Sequence, residues 1–545
     1  KNPTVALQGP LQRSLFPMLN DYWDVWYAGE TRETKRMLRQ MVMMHVTNHL
    51  LKAREVVTRN TKKIKGVQDK MKKAEQKAQD EEKLAQAGEK AGLRSKNRRK
   101  KRRRGLNISG DLPEIPVLRD QGLTRPRVLV LAPFRNSAYD LVNWIIRLLP
   151  PSCKKQVHNR KRLKEEYGPD PDEKTDPKKG VEWADTFRGN KDDAFRLGIA
   201  LHRDSVKLFS DFYNSDLIVA SPLGLRTITG PLEAAGSKSS EYDFLSSIEM
   251  LVMDQAEIFS MQNWEHVKVV CGFLNRKPYQ LRDTDINRVR EWNLSGQSLL
   301  FRQNIILSRH MTLDISGLFS SRRLFGNGRP RVKIRPTYKG AVKRVVPAMR
   351  QICQKVECES LGSAHEARYN YFIQDIFPKL HATSASEGRC ILFIPSYLDF
   401  VRIRNHLKRQ GISFANCCEY TRDPEVSRAR QLFFDGDVQY LLVTERFHFF
   451  KRYRLRGACH CVFYAPPDHE GFYPETLNLL SPAGASVAAT DEAAASAWGD
   501  NACLLLYTRY DFLALARIFG EERAQRMVAK DSEKSTFMFV SNSRK

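Results

Sequence analysis

Short, continuous apolar runs separated by amphipathic stretches set the pattern of this chain. Val128-Leu129-Val130-Leu131-Ala132, Asp216-Leu217-Ile218-Val219-Ala220, Met250-Leu251-Val252-Met253 and Asn304-Ile305-Ile306-Leu307 place apolar residues at consecutive positions. A strand with one wet face alternates, so such runs predict strands covered on both faces, as in a parallel sheet flanked by helices. Helical spacing falls between them. Ser137 to Leu149 is amphipathic, and from Thr31 to about Arg59 the residues Met37, Leu38, Met41, Met44, His45 and Leu51 recur near the 3.6 period, with Thr31 as N-cap. Upstream, Leu15-Phe16-Pro17-Met18-Leu19 is a short apolar entry, and the aromatic run Tyr22 to Tyr27 reads as a strand ending at Ala28-Gly29. A second set of the same kind follows: helix 367–379, strand 390–394, helix 397–409, strand 412–417, helix 424–434, strands 439–443, 459–464 and 502–507, and a closing helix from Phe512. Strands alternating with helices predict an α/β fold in two tandem domains.

Four stretches break the pattern and set the expected boundaries. Residues 61–115 are a charged insertion, helical or disordered, that divides the first strand and helix (1–60) from the rest of the first domain (116–320). A charged, Pro-rich insertion lies near 151–192. Between Ser321 and Val346 there are nine Lys/Arg and no Asp or Glu, broken by glycines and prolines, so 321–350 is expected to be a basic hairpin or linker between domains. The second domain occupies 351–545, with 481–500, rich in Ala, Ser and Gly, as an inserted surface loop.

Charge changes the picture of partners. The chain of 545 residues carries a formal net charge of +28, and a basic surface gains free energy on a polyanion through counterion release. Residues 61–104 hold 18 Lys/Arg against six Asp/Glu, so an excess also remains elsewhere. Within this stretch Arg94 to Arg104 reads RSKNRRKKRRR; Arg98, Arg99, Lys100, Lys101, Arg102, Arg103 and Arg104 form a nuclear or nucleolar address or an RNA-binding arm. The ten cysteines include no Cys-x-x-Cys pair and no matching His spacing, which points to buried free thiols in a reducing compartment and away from zinc. No run approaches the ~20 apolar residues that span a bilayer. Lys1 to Lys52 has no secretory n-region, h-region and cleavage site.

Local motifs at the strand ends then fall in an order that resembles the DEAD-box RNA helicases. Ala132-Pro133-Phe134-Arg135 is similar to the first RNA-contacting motif and Ala220-Ser221-Pro222-Leu223-Gly224-Leu225-Arg226 to the next. Val252-Met253-Asp254-Gln255-Ala256-Glu257 stands in the place of Asp-Glu-Ala-Asp. In the second half, Ile391 to Ser396 and Leu442-Val443-Thr444-Glu445 match two further strand ends. A closer likeness is to the digestive organ expansion factor family, the U3 small nucleolar RNA-associated pseudohelicases. It rests on Leu15 to Gly29, Arg127 to Ser137, Asp254 to Glu257 and Thr444 to Tyr464, so it spans both domains. The resemblance implies two tandem RecA-like domains, a degenerate superfamily 2 helicase core, and no helicase activity. It also implies one copy within the nucleolar small-subunit processome, supporting pre-ribosomal RNA cleavage, with pre-ribosomal RNA or U3 small nucleolar RNA and assembly factors as partners.

The chemistry agrees on what is missing. A P-loop needs glycines to wrap phosphates, a Lys on the β/γ-phosphates and a Ser/Thr on Mg²⁺. The corresponding turn reads Ala28-Gly29-Glu30-Thr31-Arg32-Glu33-Thr34, leaving Gly29, Thr31, Asp254 and Gln255 as a vestigial nucleotide site. Gln255 stands where a carboxylate would orient water, and an amide is no base. Pro467 to Tyr473 stands where an arginine-bearing motif is expected. No cofactor or metal is therefore expected. RNA binding asks only for cations, hydroxyls and backbone N–H groups along a groove. Its candidates are Arg135, Ser221 and Arg226 in the first domain. In the second they are Arg446, Lys451, Arg452, Arg454 and Arg456, interleaved with Phe447, Phe449, Phe450 and Tyr453. His448, His460 and His469 lack a nucleophile pattern and read as structural. The leading expectation is an RNA- and protein-binding scaffold; a divergent ATP-dependent helicase using Asp254 and a pure protein-interaction hub are the alternatives.

Overall fold

A computed structural model describes residues 9–90, 116–169, 179–234, 241–480, 502–529 and 536–541, apart from positions 283, 327 and 348. The chain divides into two compact units, 1–173 with 188–334, and 174–187 with 335–545. The Arg94 to Arg104 tract and the 481–500 insertion lie outside the described residues.

The first unit is built on a nine-stranded sheet. In chain order the strands are β1 (Asp24–Ala28), β2 (Val128–Leu131), β3 (Gln156–His158), β4 (Arg196–Leu201), β5 (Ser205–Leu208), β6 (Leu217–Ala220), β7 (Met250–Met253), β8 (Gln303–Ser308) and β9 (Arg331–Ile334), arranged β3-β5-β4-β6-β2-β7-β8-β1-β9. The run from β6 to β9 is parallel throughout, and β2, β6, β7 and β8 are buried at every position, as the apolar runs of the first three require; β8 buries Gln303, Asn304 and Ser308 with its Ile-Ile-Leu run by hydrogen-bonding their side chains. Antiparallel β4 and β5 extend the sheet with residues whose sequence pattern does not announce a strand. The basic stretch expected as a hairpin or linker instead supplies β9. Its partner is β1, in parallel, because the alternating Val332 and Ile334 pack against the core of this unit.

The helices of this unit that matter below are α1 (Pro10–Asn20), α2 (Arg32–Lys90) and α3 (Arg135–Leu148). Thr31 caps α2 as expected, its hydroxyl accepting from the Thr34 amide at 3.2 Å. The helix does not stop near Arg59 but runs 59 residues, about 88 Å at 1.5 Å per residue. Its first turns bury Leu38, Met41, Val42, Met43 and Val46 against Leu141, Val142 and Ile145 of α3 and the sheet. The remainder, rich in Lys, Glu, Gln and Ala, consists of strong helix formers without a core-facing stripe.

The second unit holds a seven-stranded sheet: β10 (Met349–Lys355), β11 (Cys390–Ile394), β12 (Phe414–Cys417), β13 (Tyr440–Thr444), β14 (His460–Phe463), β15 (Ala502–Tyr507) and β16 (Thr536–Ser541), in the order β12-β13-β11-β14-β15-β10-β16. All pairings are parallel except β10 with β16. Neither β10 nor β16 is among the strands expected from the sequence; β10 alternates buried and partly exposed residues. A short helix, α4 (Val181–Phe187), belongs to this unit although it lies inside the charged insertion of the first domain. Trp183 donates to the Phe450 carbonyl at 3.0 Å, and Phe187 packs on Phe449 and Phe450 at 5.3 and 5.8 Å.

Candidate functional site at the carboxyl ends of the strands

Ligands of doubly wound sheets sit beyond the carboxyl ends of the strands. In the first unit, those ends bring together Ala28-Gly29-Glu30 after β1, Asp254-Gln255 after β7, Ser308 at the end of β8 and Ser137 early in α3. Only Gly29, Glu30 and Thr31 separate the end of β1 from the start of α2. That link is far shorter than the eight-residue P-loop signature and cannot wrap a chain of phosphates. Glu30 turns inward and is 7% exposed, its amide bonded to the Ser308 carbonyl at 3.0 Å.

Arg39, about two turns into α2, fills the centre of this site. Its Nη2 and Nε donate to the two oxygens of Asp254 at 2.5 and 3.1 Å, and Nη2 also donates to Gln255 Oε1 at 2.6 Å. Nη1 reaches Asp140 of α3 at 3.3 Å. Ser137 donates to the same Gln255 oxygen at 2.8 Å. Gln255 itself adopts a left-handed backbone (φ +53°), a conformation that costs a residue with a Cβ and is held here by these bonds. Asp254 is fully buried and Arg39 is 4% exposed. Burial alone would lower the Arg39 pKa, but the Asp254 carboxylate and its hydrogen bonds outweigh it and hold the guanidinium charged. Glu30 is pushed up to about 8, by burial first and by the Asp254 charge second. Burial raises Glu257 and lowers half-buried Lys35.

A divalent ion carrying a nucleotide would need the Asp254 oxygens that Arg39 already holds, and phosphates would approach Glu30. The residues present do not fit that group. Gly29 and Thr31 flank Glu30, which feels the Asp254 charge, and Gln255 follows Asp254 and shares its arginine; Arg39 was not among the residues expected at this site. The signal existed, since Arg39 shares a helix face with Met43, Val46 and Leu50, all buried. An arginine on an apolar face demands a buried carboxylate.

The RNA candidates separate into two groups. Arg135 is tied to Asp192 at 2.8 Å and lies 5.1 Å over Tyr167, and Ser221 is the buried N-cap of the helix Pro222–Thr229, accepting from Gly224 at 2.8 Å. Both have structural partners. Arg446 pairs with Glu419 at 3.6 Å, Lys451 with Asp423 at 2.6 Å, and Arg452 with Glu475 at 2.7 Å while stacking 4.5 Å over Phe472. Phe447 and Phe449 belong to the core. Arg226, Arg454 and Arg456 make no ion pair among the described residues, and the last two are exposed.

At the strand ends of the second unit a carboxylate cluster replaces the expected arginines. Glu445 accepts from the backbone amides of Asp468 and His469 at 3.2 and 3.0 Å, and Asp468 pairs with Arg517 at 3.2 Å. Burial, reinforced by the Asp468 charge, raises Glu445 to about 8. His469 contacts Glu182 of α4 and stacks on Phe472 at 4.3 Å, whereas burial lowers His448, which packs on the same ring. These histidines sit in packed surroundings with no nucleophile beside them. Among the described residues no group of three or more His, Cys, Asp or Glu is placed to hold a metal ion, and no helix is long and apolar enough to cross a membrane.

Comparison with known proteins supplies the family. Residues 22–87 and 89–330 match the family described as "UTP25, NTP hydrolase-like domain", and residues 341–539 match "Utp25, C-terminal domain". This chain belongs to the UTP25 family. It is 36% identical over 535 residues to "U3 small nucleolar RNA-associated protein 25 homolog" of Homo sapiens, covering 97% of this chain and 63% of that protein. It is 34% identical over 558 residues to "Protein NUCLEOLAR FACTOR 1" of Arabidopsis thaliana, covering 98% and 66%. The chain thus spans somewhat under two thirds of the length of the human relative. Among solved structures, a hypothetical ATP-dependent RNA helicase from Sulfolobus tokodaii aligns over 92% of this chain and 93% of its own, at 9% identity and a TM-score of 0.24. The RecA-like assignment of this UTP25 family member rests instead on the strand order and on the NTP hydrolase-like family match.

Proposed function

We propose that this chain is a non-catalytic, helicase-derived scaffold that binds RNA and protein in the nucleolar small-subunit processome, in support of pre-ribosomal RNA processing. Its RNA partner is pre-ribosomal RNA or U3 small nucleolar RNA, and the digestive organ expansion factor proteins are its kin. The relatives' names, one of a U3 small nucleolar RNA-associated protein and one of a nucleolar factor, support the particle chosen here; the closed site supports the absence of a nucleotide cycle. The carrying observation is the Arg39–Asp254 pair, which puts a built-in cation where an ATPase keeps an open carboxylate for its metal.

The test uses the purified full chain. It should bind structured RNA with a strong dependence on salt, and show neither RNA-stimulated ATP hydrolysis nor ATP-dependent strand separation. Turnover that disappears in Asp254→Asn would replace this reading with the divergent helicase. Crosslinking in the native particle that yields protein neighbours and no RNA would replace it with the protein hub.

A further inference from the structure

The second unit contains a cationic cavity that the strand-end site does not use. It has a volume of about 610 Å³ and lies on the flank of the sheet, between the helix Asp423–Asp435 and the segment Arg452–Arg456 that leads toward β14. It reaches Leu441, near the start of β13, rather than the carboxyl ends of the strands. Five Lys/Arg line it and no carboxylate does. Arg454 and Arg456 are exposed and free of ion pairs among the described residues, unlike Arg446 and Lys451 nearby. Arg430 lies 4.6 Å over the Tyr453 ring and Lys179 lies 5.9 Å from it, so both are gathered at one wall. At another wall stands Phe434, 53% exposed although it is a large aromatic.

Cations around a cavity select an anion, and the exposed ring narrows the class. Nucleic-acid grooves for single strands combine cations that follow the backbone with aromatic rings on which bases stack. An acidic peptide covers Phe434 only where an aromatic side chain happens to stand beside its carboxylates, whereas a single strand offers a phosphate and a planar base at every residue. A lone phosphate leaves most of the volume empty, since cavities of some 300–1,000 Å³ take whole ligands. A duplex keeps its bases paired and cannot present one to the ring.

We propose that this cavity binds a single-stranded RNA segment, with backbone phosphates on Arg430, Arg454 and Arg456 and a base against Phe434. The proposal rests on the RNA-binding reading above, but assigns it to a flank of the second unit.

The test compares three variants of the full chain by anisotropy with a labelled single-stranded RNA of mixed sequence. They are Arg454→Gln/Arg456→Gln, Phe434→Ala, and, as a control of equal charge change, Lys408→Gln/Arg409→Gln at exposed positions that do not line the cavity. All alter exposed side chains, and circular dichroism checks their folding. The arginine pair should lose roughly tenfold in affinity, with the slope of log K against log salt falling by about 1.4, at ~0.7 per phosphate of a single strand. Phe434→Ala should also lose about tenfold, with the slope unchanged, as for one stacked base. The control should stay within about twofold. Ultraviolet crosslinks should map to 430–456. RNA binding that is equal in parent, arginine and phenylalanine variants overturns the cavity assignment and leaves the scaffold reading standing. An equal loss in the control and the arginine pair also overturns it, by showing diffuse attraction. No RNA binding by the parent overturns both.

Discussion

Replacing Arg39 by Met tests whether the closed site is also a keystone of the first unit. Methionine keeps the unbranched stem and the helix propensity of the side chain, so α2 itself should be undisturbed. What is lost is specific: two charge-assisted bonds to Asp254 at 2.5 and 3.1 Å, one to Gln255 at 2.6 Å and one to Asp140 at 3.3 Å. Asp140 is largely exposed and returns to water at little cost. Asp254 is fully buried and cannot. Removing one partner of a buried pair costs about 3–5 kcal/mol, because the other charge is left uncompensated. Urea unfolding followed by tryptophan fluorescence, to which buried Trp26 contributes, reads the loss. Arg39→Met/Asp254→Asn removes the stranded charge and should recover at least half of the loss. A single variant within about 1 kcal/mol of the parent, well below the cost of a broken buried pair, or a double variant no more stable than the single, would refute the keystone role.

Three further outcomes follow from the same geometry. Glu30, raised to about 8 by burial and by Asp254, keeps its proton in the folded state between about pH 4.5 and 8, where the unfolded chain releases it; its contribution is full below that window and lost as pH rises through it. Glu30→Gln should therefore stabilise the first unit at pH 9, by a few kcal/mol, and leave it unchanged near pH 4, as thermal melts at the two pH values would show. Ser221→Ala removes the buried N-cap of the helix Pro222–Thr229 and should cost about 1 kcal/mol in denaturant melts, with RNA affinity unchanged within twofold. Gln255→Glu, which restores the acidic side chain of the helicase motif, should give no ATP turnover in a phosphate-release assay, because Arg39 still holds Asp254 and the three-residue link after β1 still lacks a phosphate cradle.

Buried strands were legible because each carries a run of consecutive apolar residues, which neither a surface loop nor an amphipathic helix tolerates. Strands at or next to a sheet edge were not. The edge strand β9 and its counterpart β10, one strand in from the edge of the second sheet, mix charged with apolar residues, and a basic composition suggested a linker where Val332 and Ile334 in fact complete a sheet. The site divided along the same line. Local residues can be read directly: the turn Ala28 to Thr34 holds no Gly-Lys-Ser/Thr, and Gln255 follows Asp254. Replacements are not local: Arg39 lies 215 residues from Asp254, and only the fold brings them together. The RNA candidates divide for a related reason. A cation counted from sequence is counted without its partner, and Glu419, Asp423 and Glu475 claim three of the five in the second unit. What marks Arg454 and Arg456 is not their charge, which their neighbours share, but that the fold leaves them facing a cavity free of carboxylates. Their cationic surface therefore stays available to an anion from outside the chain, whereas at the strand ends Arg39 is held by Asp254 and Arg517 by Asp468.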